Sequence, residues 1–170
     1  MKDMAYTTEA LPVHTDTAYF TDAAGLQMFH LLSHTGGDGG ETLLVDGFEA
    51  ARILHTEKKD AYYALKHPIF SHHASGNKDI CIRPGGGFPT FSHRTYTGEL
   101  YQVRWNNEDR GAATSAPIST LERWYFAARE WSELLKRPSL VRQFKLEPGT
   151  PLSTCASHAY ETSPLQENRY

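Results

Sequence analysis

Leu11-Pro12-Val13-His14-Thr15-Asp16-Thr17 is the stretch from which the rest of the chain is read. In extended backbone, residues i and i+2 project from one face about 6.5 Å apart at Cα, so His14 and Asp16 can converge. An imidazole beside a carboxylate offers two adjacent coordination positions, and a second histidine would complete the 2-His-1-carboxylate set of non-haem iron sites. With 9 histidines in 170 residues, one His-x-Asp match is close to what chance supplies. The motif alone therefore leaves a second reading open, a histidine hydrogen-bonded to a nearby carboxylate.

The bulk composition narrows the setting. At 170 residues, 39% hydrophobic and 22% charged, the chain suits one soluble globular domain with a packed core. A net charge of -3, with no basic run longer than Lys58-Lys59, gives no electrostatic reason to expect nucleic acid or an anionic membrane as partner. A small molecule is the better expectation. Cys81 and Cys155 lie far apart and outside any metal-ligand spacing, so they read as reduced intracellular thiols. No apolar run reaches the roughly 18 residues that span a bilayer, and no signal or transit segment is recognisable. The expected location is soluble and intracellular, mitochondrial or cytoplasmic.

Working outward, Leu11 to Asp16 and Gly25 to Ser33 are predicted strands, the second apolar enough to be buried on both faces. Gly36 to Gly40 reads as a turn and Glu41 to Asp46 as a strand. Asp46 then caps a helix, with Glu49 completing a box-like pair, and a short helix around Lys59 to Lys66 stops before Pro68. From Ile69 to Asn106 the turn signals Pro84-Gly85-Gly86-Gly87 and Thr97-Gly98 alternate with β-type residues such as Tyr101 to Trp105, predicting antiparallel sheet. Ser119-Thr120-Leu121-Glu122 is a capping box. It opens the clearest helix, whose stripe Leu121, Trp124, Tyr125, Ala128, Trp131 and Leu135 is expected in the core. The fold class is α+β: an antiparallel barrel or sandwich with flanking helices.

Longer motifs add what the His-x-Asp pair lacks. His14-Thr-Asp-Thr-Ala-Tyr-Phe20, Gly25-Leu-Gln-Met-Phe-His30, Gly39-Gly-Glu-Thr-Leu-Leu-Val-Asp-Gly-Phe48 and Val103-Arg-Trp-Asn-Asn-Glu-Asp-Arg110 are the main ones. Together with Met4 to Thr8, Arg123-Trp124-Tyr125 and Phe144 to Gly149, they closely resemble the trimethyllysine and gamma-butyrobetaine hydroxylases of the taurine-dioxygenase-like superfamily. The details favour the trimethyllysine branch, and the resemblance covers about 4 to 150.

That resemblance implies a double-stranded β-helix (jelly-roll) core, incomplete here, with Fe(II) and 2-oxoglutarate as cofactors and ascorbate as reductant. It implies hydroxylation of N6,N6,N6-trimethyllysine at carbon 3, the first step of carnitine synthesis, and a possible homodimer. By the same carry-over His14 and Asp16 are metal ligands, Thr42 holds 2-oxoglutarate, and Tyr6 is one wall of the trimethylammonium cage. Asn106 and Asn107 lie near the polar end of the substrate. The cage has its own physics: a quaternary ammonium has no N–H to donate, so aromatic faces must meet its charge and methyl surface. His30, His34, His72, His73 and His93 match no ligand position and are expected in surface or structural roles.

The pattern departs from these relatives after Gly149. They continue with a strand reading roughly Asp-Asn-Trp-Arg-x-x-His-Gly-Arg, whose His is the third iron ligand and whose last Arg pairs with the distal carboxylate of 2-oxoglutarate. Here the ligand position falls on Glu161, with His158 three residues earlier. Neither is expected to substitute from a polar tail, because ligands need rigid supports. The domain is therefore read as a partial dioxygenase catalytic domain over 1–152 and a divergent, disordered tail over 153–170, as from an altered reading frame or splice form. Loss of the Arg would remove a charged hydrogen bond of roughly 1.5–3 kcal/mol, so this chain is expected to be impaired. The alternatives are gamma-butyrobetaine hydroxylation and a non-catalytic fragment of such an enzyme.

Overall fold

Among the described residues three helices pack together, and short antiparallel ladders accompany them. A computed structural model describes residues 10–35, 39–75, 78–113 and 116–155. Helix α1 spans Gly47–Glu57 and starts where the sequence places it: Asp46 Oδ1 accepts from the backbone N–H groups of Phe48 (2.9 Å) and Glu49 (3.0 Å). The Glu49 side chain does not close the box; it pairs with Arg52 one turn on. Helix α2, Lys59–Leu65, ends before Pro68 as expected.

The third helix, α3, covers Ile118–Leu134. Its start differs from the capping-box reading. Pro117 is the N-cap with no side-chain bond, so Ser119 sits inside the first turn; an extended proline preorganises the entry without a hydroxyl. Of the predicted stripe, Trp124, Ala128, Trp131 and Leu135 are buried, while Tyr125 is half exposed. Helices α2 and α3 pack on each other, and Leu54, Leu65, Phe91 and Trp131 are the most deeply buried large side chains.

Among the described residues six strands pair two by two. Strand β1 (Leu26–Phe29) pairs with β6 (Leu152–Cys155), β2 (Glu41–Val45) with β5 (Val141–Lys145), and β3 (Phe91–His93) with β4 (Leu100–Val103), all antiparallel. The β3–β4 hairpin turns at Gly98, whose φ of +70° suits glycine. In the Pro84–Gly87 turn only Gly87 is sterically required, since a Cβ there would lie 2.7 Å from the Phe70 carbonyl oxygen. Among the described residues the ladders remain separate, and no sheet closes into a barrel. The α+β class is realised in this form.

Three further sequence expectations change. The segment from Leu11 to Asp16 is not a strand. It is irregular backbone held by one main-chain bond, from Thr15 N–H to the Trp105 carbonyl (2.7 Å), because no second strand runs beside it. The apolar run from Gly25 to Ser33 yields only four strand residues, and these are not buried on both faces: Leu26 is 68% and Met28 71% exposed. A run of apolar residues reports the capacity to be covered, and on this ladder nothing described covers it. Finally, the tail expected to be disordered from 153 begins with strand residues Ser153 to Cys155, hydrogen-bonded to β1. Residues 156–170 lie outside the described residues, as does most of the Gly36 to Gly40 turn.

Candidate metal half-site

Backbone clamps from the end of β4 position the segment that carries His14 and Asp16. Trp105 N–H donates to Thr15 Oγ1 (2.9 Å) while its carbonyl accepts from the Thr15 N–H, so the residue between His14 and Asp16 is fixed on both sides. The neighbouring Arg104 is buried. Its guanidinium donates to the carbonyls of Ala18 (2.8 Å), Phe20 (2.6 Å) and Thr21 (3.3 Å), and stacks over the Phe88 ring at 4.2 Å. Burial lowers the Arg104 pKa from its ordinary value, partly offset by Tyr101 and the Asp22 carboxylate, and the carbonyl dipoles supply further compensation. Between the clamps the chain turns sharply, and Thr17 takes φ +56°, an uncommon conformation for a β-branched residue.

Held in this way, His14 and Asp16 converge: His14 Nε2 lies 3.2 Å from Asp16 Oδ1. His14 Nδ1–H donates to the Pro12 carbonyl at 2.7 Å, which fixes the ring and turns Nε2 toward the carboxylate. The other Asp16 oxygen, Oδ2, accepts from the Gln27 carboxamide on β1. The shared hydrogen bond raises the His14 pKa and lowers that of Asp16, each against the opposing effect of partial burial. Both groups are partly open to solvent, so the pair contributes little to stability. It does bring a nitrogen and an oxygen donor within 3.2 Å of each other. A metal needs His14 neutral, so protons compete with it increasingly as the pH falls through the raised His14 pKa.

The remaining predicted site residues are placed as follows. Asn106 and Asn107 follow β4 in the turn beside His14, and the Asp109 carboxylate in that turn also acts on the His14 ring. The Asn106 carboxamide is engaged locally: Oδ1 accepts from the Glu108 and Asp109 N–H groups, and Nδ2 donates to Asp109 Oδ2 (2.9 Å). Asn107 is exposed. Thr42 stands half-buried on β2, opposite Phe144, and no described hydrogen bond joins it to His14 or Asp16. Tyr6, Glu161 and His158 lie outside the described residues. Among the described residues no group of three or more His, Cys, Asp or Glu could hold a metal, so two donors are what this structure provides. They match the first two positions of a 2-His-1-carboxylate set in donor type.

Sequence reasoning missed Arg104 and Gln27. Nothing local marks either: the Arg104 targets are 83 to 86 residues away, and Gln27 meets Asp16 only because of where β1 is held.

A half-site of this composition, on an α+β frame of antiparallel ladders, defines a candidate metal-dependent protein. Comparison with known families is more specific: residues 1–152 match the model of the "Taurine catabolism dioxygenase TauD, TfdA family". Trimethyllysine dioxygenase of Neurospora crassa is 42% identical over 89% of this chain and 39% of its own length; that of Gallus gallus, named as mitochondrial, is 39% identical over 88% and 36%. Human gamma-butyrobetaine dioxygenase is more distant, 25% identical over 86% of the chain. This chain belongs to the TauD/TfdA dioxygenase family. It spans under two fifths of the length of these relatives.

Proposed function

We propose that the protein acts in Fe(II)- and 2-oxoglutarate-dependent hydroxylation of trimethyllysine at carbon 3, the entry reaction of carnitine synthesis. The observation that carries this reading is the convergence of His14 Nε2 and Asp16 Oδ1, in a chain far more similar to trimethyllysine dioxygenases than to the butyrobetaine enzyme. His14 and Asp16 would hold the iron, which when bound couples decarboxylation of 2-oxoglutarate to oxygen insertion. Thr42 donates its hydroxyl to 2-oxoglutarate, Tyr6 faces the trimethylammonium group, and Asn106 and Asn107 flank the polar end of the substrate. Ascorbate serves as reductant, a jelly-roll core surrounds the site in the whole protein, and the compartment is mitochondrial as the names of the animal relatives state for them. The His-Gly-Arg strand expected after Gly149 is replaced here by another sequence, and we propose that this chain alone turns over little or not at all.

The test grafts residues 1–150 into the Neurospora crassa enzyme in place of its matching segment and measures succinate with each cation. Trimethyllysine-dependent succinate, lost on His14→Ala, is expected. A graft that melts cooperatively yet shows no stimulation by trimethyllysine would contradict the proposal, and preferential stimulation by gamma-butyrobetaine would replace it.

A further inference from the structure

We infer that Gln27 is a positioning residue for Asp16, holding one carboxylate oxygen so that the other is presented beside His14. The inference rests on reading His14 and Asp16 as metal ligands and adds a residue that the family match does not name. The two oxygens of Asp16 have different partners, Gln27 Nε2–H on Oδ2 and His14 Nε2 on Oδ1. A ligating carboxylate that is held at one oxygen keeps a single, directed donor for the metal. The Gln27 side chain suits this task because it is neutral. A Lys or Arg in its place would also orient the carboxylate, but would repel the cation that Asp16 is to bind.

The strand itself supports the assignment. Alternation along β1 sends Gln27 to one side and Leu26 and Met28 to the other, and it is the amide that is half-buried while Leu26 and Met28 are 68% and 71% exposed. The opposite facing would turn Leu26 and Met28 to the side that Gln27 now shares with Phe29. Slipping β1 by one residue would do this and remove Gln27 from Asp16. The register observed is the one that delivers the amide, and β6 secures it, with Gln27 facing Thr154 in the middle of the ladder.

The experiment titrates Mn(II) into the whole chain, reading free Mn(II) by electron paramagnetic resonance, and records visible spectra with Co(II) as a geometry probe. It compares the unmodified protein with Gln27→Leu, Gln27→Thr and His14→Ala. Gln27→Thr suits a strand but is too short to reach Asp16, so it serves if the leucine variant folds poorly. Expected is an affinity about ten- to hundredfold lower in both Gln27 variants, with an altered Co(II) spectrum and an unchanged melting temperature. Affinity and spectrum unchanged in both, with binding lost in His14→Ala, would overturn the role of Gln27 and leave the ligand reading standing. Absence of Mn(II) binding in the unmodified chain would overturn the ligand reading, and the Gln27 assignment with it.

Discussion

His72 shows how one side chain couples this structure to pH. It is buried, its Nδ1 has no hydrogen-bond partner, and burial lowers its pKa to about 4, with Arg104, Arg110 and His73 adding repulsion. A folded-state pKa below the unfolded value of about 6.5 means that the unfolded chain binds the extra proton between those pH values. The contribution of a neutral His72 is thus complete above about pH 6.5 and declines on acidification toward pH 4, a loss of order 3 kcal/mol. Denaturant melts across that range should show a shallower acid decline for His72→Gln than for the unmodified protein, and equal slopes would refute the account. Legibility at this scale was uneven. His14 and Asp16 could be paired from spacing because their meeting is local, although an irregular segment rather than a strand brings it about. The orphaned nitrogen of His72, the amide of Gln27 and the guanidinium of Arg104 depend on contacts between distant segments, which no periodicity encodes.

Among the elements, those with chemical punctuation were readable. Asp46 starts α1, Pro68 follows the end of α2, and the buried stripe of α3 keeps helical spacing. Strand partners were not readable, since β1 with β6 and β2 with β5 join segments over 90 residues apart, and short apolar runs do not state which face will be covered. The segment bearing His14 and Asp16 is itself defined by attachment to β4. Replacing Arg104 by Met would free the carbonyls of Ala18, Phe20 and Thr21, each losing a charged hydrogen bond worth roughly 1.5–3 kcal/mol. Chymotryptic cleavage after Tyr19 and Phe20 should then accelerate while the circular dichroism of the helices persists. Unchanged cleavage would show that the Trp105–Thr15 bonds suffice to hold the segment.

For the whole molecule, the helical centre is well packed, whereas the ladder carrying Gln27 presents large apolar side chains to solvent and the three ladders stay apart among the described residues. The family match over 1–152 accounts for this frame, and the relatives are more than twice as long as the chain. The proposed half-site consists of His14 and Asp16, held by residues at the end of β4 and on β1. Anaerobic calorimetric titration of Fe(II) into the unmodified chain and into His14→Ala and Asp16→Ala tests it most directly. Saturable one-to-one binding, weakened at least about tenfold by either substitution, is the predicted result, since loss of a ligand should cost no less than loss of its supporting partner. Equal binding by all three proteins would contradict it.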